Sequence, residues 1–256
     1  MTLFKQTFAV ALCAVASTNA IAHDETRHVE TIEKTFAVDD NAQLQIENTN
    51  GKVEIEAWDR NEVVITASIY SKNAEGRDTV EVLLTQKGNT IDIDTEYKKQ
   101  SFWNNNNYSK VDYFINVPKN VDLAEVDLTN GSLTISGVAG EVNASLMNGK
   151  LVATELASST YVESHNGSVK LSYSHDLVDL KNIEVDSNNG SITVYLPADI
   201  DAKMEAESNN GSIKNDFGLQ VRKDRSHSKS LSGEVGSGKT HVNLESNNGS
   251  IRIKSL

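Results

Sequence analysis

Apolar and polar residues alternate in short runs along most of the chain, and the runs meet at one recurring dipeptide. Asn-Gly occurs seven times, at Asn50-Gly51, Asn130-Gly131, Asn148-Gly149, Asn166-Gly167, Asn189-Gly190, Asn210-Gly211 and Asn248-Gly249. Three positions after each Asn stands an aliphatic residue: Val53, Leu133, Leu151, Val169, Ile192, Ile213 or Ile251. Two positions further come Ile55, Ile135, Ala153, Leu171, Val194, Asn215 and Ile253, with Asn215 the exception. Four positions before the Asn lie Ile46, Val126, Ala144, Val162, Val185, Ala206 and Leu244. Period-two alternation on both sides of a turn predicts half-buried strands throughout.

The dipeptide has two readings. Gly adopts positive φ freely and Asn tolerates it, so Asn-Gly bends a chain tightly, most often as a two-residue hairpin. It also suits the corner of a solenoid coil, with the Asn side chains stacked as a ladder. From Asn130 onward the spacings are 18, 18, 23, 21 and 38 residues, the last about two periods. A meander of short hairpins would reverse every 8–12 residues or so, whereas an interval near 20 suits one coil. The expectation is therefore an all-β, right-handed parallel β-helix-like solenoid. An antiparallel sandwich or meander is the alternative.

Two further features refine that picture. The segments Val117-Pro118-Lys119-Asn120-Val121-Asp122 and Leu196-Pro197-Ala198-Asp199-Ile200-Asp201 match each other, each ending a strand at its proline. Between residues 61 and 117 the period lapses into longer alternating runs, such as Val63 to Ile69, predicting an irregular antiparallel elaboration or capping sheet.

The first 22 residues depart from the strand pattern. Lys5, an apolar run from Phe8 to Val15 and the ending Ala20-Ile21-Ala22 have the order of a secretory signal peptide. The apolar run is too short to span a membrane. Cleavage after Ala22 would leave residues 23–256 as a single β-repeat domain and remove Cys13, the only cysteine. The expected location is the periplasm or the cell surface. Net charge is −12, from 24 basic and 36 acidic residues, which disfavours nucleic acid as a partner. Strands this short and poor in aromatics also disfavour an outer-membrane barrel.

The phrase Trp58-Asp59-Arg60-Asn61-Glu62-Val63, the two proline strand ends, the repeated Asn-Gly-Ser and Gly233-Glu234-Val235-Gly236-Ser237-Gly238 together resemble the DUF4097 β-strand-repeat proteins. The likeness covers nearly all of the chain beyond the leader. It implies a right-handed β-helix-like fold in the bacterial envelope and an adhesin-like role, and it supplies no catalytic residues.

Candidate chemistry is sparse. Gly233 to Thr240 spells G-x-x-x-x-G-K-T, the letters of a phosphate-binding loop, but His241 to Glu245 alternate as a strand where that loop needs a helix. A glycine-rich turn is the expectation. Asn-Gly-Ser is formally a glycosylation sequon, and the turn already accounts for it. The six histidines fall at unrelated positions, without the spacing of a metal site.

Three positions before the repeat Asn stand Glu47, Asp127, Ser145, Glu163, Asp186, Glu207 and Glu245. In a solenoid they would form an outward acidic ladder with a rise of about 4.8 Å. It could be partly neutralised by Lys170, Lys214 and Arg252, four positions after the Asn, in exposed pairs worth up to about 1 kcal/mol each. A hard cation such as Ca²⁺ would be the alternative, suited by oxygen-only ligands. The segment Phe102-Trp103-Asn104-Asn105-Asn106-Asn107-Tyr108 is a candidate contact loop, because Trp and Tyr offer area at small entropic cost.

Asp92 and Asp94 share a strand face without an evident basic or aromatic partner, so no glycosidase-like cleft is legible. The reading is an exported, non-enzymatic envelope protein, structural or adhesive, contacting a surface protein or polysaccharide. The rivals are a polysaccharide-active β-helix enzyme and a calcium-dependent binding module.

Overall fold

The computed structural model describes residues 28–98, 109–223 and 228–256. The leader and the Phe102, Trp103 and Tyr108 segment lie outside the described residues. Its strands, in chain order, begin with β1 His28–Ala37, β2 Gln43–Asn50, β3 Val53–Trp58, β4 Glu62–Ser71, β5 Val80–Lys87, β6 Thr90–Tyr97 and β7 Ser109–Pro118. There follow β8 Asp122–Asn130, β9 Leu133–Ser136, β10 Val142–Asn148, β11 Leu151–Leu156, β12 Thr160–Asn166, β13 Val169–Tyr173, β14 Asn182–Asn189 and β15 Ile192–Leu196. The last are β16 Ala202–Ser208, β17 Ile213–Asn215, β18 Val221–Lys223, β19 Lys229–Val235, β20 Thr240–Asn248 and β21 Ile251–Ser255.

Each Asn-Gly joins a strand of one sheet to a strand of another. Sheet I runs β18-β19-β16-β20-β14-β12-β10-β8-β2-β6-β5, and sheet II runs β1-β4-β7-β3-β9-β11-β13-β15-β21-β17. The pairs β2/β3, β8/β9, β10/β11, β12/β13, β14/β15, β20/β21 and β16/β17 are therefore solenoid coils. Neighbouring coils pair in parallel, with every repeat Asn in register from Asn50 to Asn248, as in Asn148 beside Asn166. That parallel register rules out the meander.

The alternation explains the core. Residues three after the Asn are all buried, at 6% exposure or less, as are those four before it. Both sets face inward, so the two sheets close over one continuous aliphatic interior. Asn215 ends its coil, as its polarity demands. Its carboxamide oxygen accepts from the amides of Phe217 (3.1 Å) and Leu219 (2.9 Å), and its nitrogen donates to the Leu219 carbonyl (2.8 Å), which stops β17 after three residues.

Both ends of the stack are built out of chain order. At one end β6/β7 lies outside β2/β3, and antiparallel strands β5, β4 and β1 continue the two sheets. Of these, β4 and β5 are the antiparallel elaboration expected between residues 61 and 117, whereas β6/β7 is a further parallel coil and β1 lies before that segment. At the other end β20/β21 inserts between β14/β15 and β16/β17, and the antiparallel strands β19 and β18 extend sheet I beyond β16. The 38-residue interval between Asn210 and Asn248 is thus a cap of two strands, not two periods of coil. Antiparallel caps close edges that a parallel stack would leave as open templates.

Candidate functional site

The corner comes first, because it places everything else. The Asn side chains form one continuous hydrogen-bonded ladder. Asn130 Nδ2 donates to Asn50 Oδ1 (3.2 Å), Asn148 to Asn130, Asn166 to Asn148 and Asn189 to Asn166 (3.0 Å each), Asn248 to Asn189 (2.9 Å), and Asn210 to Asn248 (3.0 Å). A shorter second ladder runs from Asn209 to Asn247 to Asn188, each step 3.2 Å. Tyr97 Oη caps the first ladder by donating to the Asn50 carbonyl (3.2 Å).

The turn chemistry read from the sequence is corrected here. None of the repeat Asn residues has positive φ, which among the described non-glycine residues belongs to Asn41, Glu155 and Asp179. Asn is present for its amide. Gly51, Gly149 and Gly167 do take positive φ (128°, 153° and 157°), and proximity adds a second requirement: a Cβ on Gly131, Gly149, Gly167 or Gly190 would sit 1.5–1.8 Å from the carbonyl oxygen of the glycine in the neighbouring coil. Their amides close the stack, as in Gly149 N–H to Asn166 O (2.9 Å).

On the outer face of sheet I the register sets Asp94, Glu47, Asp127, Ser145, Glu163, Asp186, Glu245 and Glu207 side by side. Beside this row lies a groove of about 730 Å³, lined also by Thr129, Met147, His165 and Asn188. Burial, followed by neighbouring acids, pushes the carboxyls of Glu47, Asp127 and Asp186 above their ordinary values. Among the described residues, no ion pair uses an acid of this row. No group of three or more His, Cys, Asp or Glu among them is arranged to hold a metal ion. A single file of carboxylates, one per strand, does not converge on a point.

The expected pairing of Glu163 with Lys170, Glu207 with Lys214 and Glu245 with Arg252 does not occur. Each acid precedes the corner and each base follows it, so they occupy outer faces of different sheets. On sheet II, Lys170, Thr193, Arg252 and Lys214 stand in register. The ammonium groups of Lys170 and, from the adjacent row, Lys254 lie over the Tyr195 ring, 5.1 and 5.7 Å from its centroid. The seven-residue separation across a corner was the signal in the sequence for this segregation.

The phosphate-loop letters form no phosphate site. Gly236 to Lys239 is a turn between β19 and β20, and the amides of Ser237 and Lys239 and the Ser237 hydroxyl are already used. Asp201 Oδ1 accepts from Ser237 N–H (2.7 Å) and Lys239 N–H (3.2 Å), and Oδ2 accepts from Ser237 Oγ (2.6 Å). These bonds hold the Asp201 carboxyl below its ordinary value. Its counterpart in the duplicated Pro segment, Asp122, accepts from Glu141 N–H in the same manner (2.9 Å). Asp92 and Asp94 lie on the outer face of β6, beside Gln45 and Glu47.

These features define a class of protein: a capped β-solenoid with a hydrogen-bonded asparagine corner, an acidic broad face, and an opposite face that is basic at its C-terminal coils. The chain belongs to the Toastrack DUF4097 family, whose model matches residues 121–254. No curated protein matches it. Among solved structures, a "putative cell adhesion protein" from Clostridium sporogenes is 19% identical, covering 88% of this chain and 100% of that one, with a TM-score of 0.53. A "putative adhesin" from Bacteroides fragilis is 15% identical over 88% and 97% of the two chains, at TM-score 0.40. A "putative lipid binding protein" from Parabacteroides distasonis is 13% identical over 88% and 96%, at 0.28. The first likeness is one of fold. No helix among the described residues is long and apolar enough to cross a membrane.

Proposed function

We propose that this protein is an exported, non-enzymatic module of the cell envelope, structural or adhesive, whose broad stacked faces are its contact surfaces. The observation that carries this reading is the regularity of those faces. Outward side chains stand in straight rows repeated once per strand, and the acids of the row from Asp94 to Glu207 enter no ion pair among the described residues. Such rows suit an extended partner, protein or polysaccharide, better than a small molecule. The signal-peptide pattern of residues 1–22 supports export, and the description of the Clostridium sporogenes structure supports adhesion by analogy.

The test has two arms. The full chain, tagged at its C-terminus and expressed in a bacterial host, is fractionated, and its N-terminus is determined by mass spectrometry. Cleavage after Ala22 with recovery in the envelope is expected, and an uncleaved cytoplasmic protein would overturn the reading. The purified protein is also incubated with envelope polysaccharides while new reducing ends are measured. Sustained release of fragments would make it an enzyme.

A further inference from the structure

We infer that the basic face of one copy seats on the acidic row of a second copy, forming an open lateral assembly; this rests on the structural or adhesive reading above. Three coils carry the complementary charges, and each carries both. Glu163 and Lys170, Glu245 and Arg252, and Glu207 and Lys214 are each seven residues apart with the Asn-Gly corner between them. The corner sends the acid to the outer face of sheet I and the base to the outer face of sheet II.

The register then does the matching. The acids run Glu163, Asp186, Glu245, Glu207 across β12, β14, β20 and β16. The bases run Lys170, Thr193, Arg252, Lys214 across β13, β15, β21 and β17, in the same coil order. Both rows advance by one strand spacing, about 4.8 Å, because one stack generates both. A second copy displaced through the thickness of the solenoid therefore sets three bases opposite three acids without any change of register.

Lys170, Lys214, Arg252, Glu163, Glu207 and Glu245 are all exposed, and none enters an ion pair among the described residues. Lys254 adds a fourth base, and the Tyr195 ring between it and Lys170 keeps both ammonium groups over the face. The two surfaces differ, so the contact is heterologous. Repetition by translation does not close, and copies add indefinitely. The net charge of −12 opposes approach at long range, while at cellular ionic strength it is screened beyond about 8 Å.

The experiment is sedimentation velocity on the purified protein, with two triple variants. Lys170→Glu/Lys214→Glu/Arg252→Glu makes both faces acidic, and Glu163→Lys/Glu207→Lys/Glu245→Lys makes both basic. Wild type is expected to form concentration-dependent species above monomer near 0.15 M salt and to dissociate near 1 M, where screening shortens to about 3 Å. Each variant alone is expected to associate at least about a hundredfold more weakly, because like charges then face each other. An equimolar mixture of the two is expected to associate again, which a general loss of stability would not produce. Should a triple variant fail to fold by circular dichroism, Lys170→Glu and Glu163→Lys serve singly in the same mixing test.

A wild type that stays monomeric, or a mixture that does not associate, would overturn the inference. So would binding of an anionic polysaccharide abolished by the first triple variant with self-association unchanged, since the basic face would then have another occupant. Loss of self-association with export and envelope recovery intact would remove this inference and leave the proposed function standing.

Discussion

Replacing Gly131 by Ala separates two explanations of the repeat glycine. The Gly131 backbone does not require the left-handed region, so the added methyl brings no conformational penalty there. Its Cβ would lie 1.8 Å from the Gly51 carbonyl oxygen, where real Cβ contacts stay beyond 3.0 Å. The neighbouring coils must part by about 1 Å or more, which carries their backbone hydrogen bonds out of range. Those at risk between these two coils are Gly51 N–H to Asn130 O (3.0 Å) and Val53 N–H to Ser132 O (2.9 Å), with the strand ladders beside them. Losing two or three such bonds, at about 1 kcal/mol each and more where a buried group is left unpaired, gives an expected loss of about 3–5 kcal/mol.

Gly88 is the matched comparison. It has φ +64° and nothing within 4 Å of a built Cβ, so Gly88→Ala incurs backbone strain alone, about 1–2 kcal/mol. Urea unfolding of the wild type and both variants, fitted for midpoint and slope, measures the difference directly. If Gly131→Ala is no worse than Gly88→Ala, coil proximity is not the reason for the repeat glycine.

Three other outcomes follow from the same geometry. Asn148→Ala removes one donor to Asn130 and one acceptor from Asn166, so chemical denaturation should show a loss of about 1–2 kcal/mol; no change would mean the ladder is decorative. Asp201→Ala frees the amides of Ser237 and Lys239, whose hydrogen exchange should accelerate selectively, and the variant should still bind no nucleotide. Faster exchange throughout the core instead would place Asp201 in global stability.

The third outcome concerns pH. Glu47, Asp127 and Asp186 hold protons more tightly folded than unfolded, so stability should rise as pH falls from about 7 through their raised values. Glu30, bonded to Arg77, and Asp201 are shifted down, and their stabilisation is lost only on further acidification below the ordinary carboxylate range, about pH 4. Melting temperature should therefore peak between these windows, and a steady decline from pH 7 would contradict the assignment.

The coils were legible in the sequence because their causes are local. An aliphatic residue three after each Asn and another four before it require the two flanking strands to share an interior, and the spacing selects a coil. Asn215, the one polar member of its row, was visible as an exception, and its hydrogen bonds to residues 217 and 219 show why. The acidic row needed only parity along a strand.

What the tertiary structure decided depends on which coil lies beside which, and local pattern does not carry that. Insertion of β20/β21 inside β16/β17 sets Asn248 against Asn189, 59 residues away, and turns an apparent double period into a cap. Positive φ reserves Gly51, Gly149 and Gly167 for glycine as expected, but the clash that excludes a side chain at Gly131 and Gly190 as well comes from a neighbouring coil, which a conformational preference alone does not reveal. The Glu-to-Lys separation of seven residues suggested a pair until the corner put 163 and 170 on opposite faces. Sequence determined which side chains point outward, because alternation is a property of one strand; which charges meet was decided by stacking, a property of all of them together.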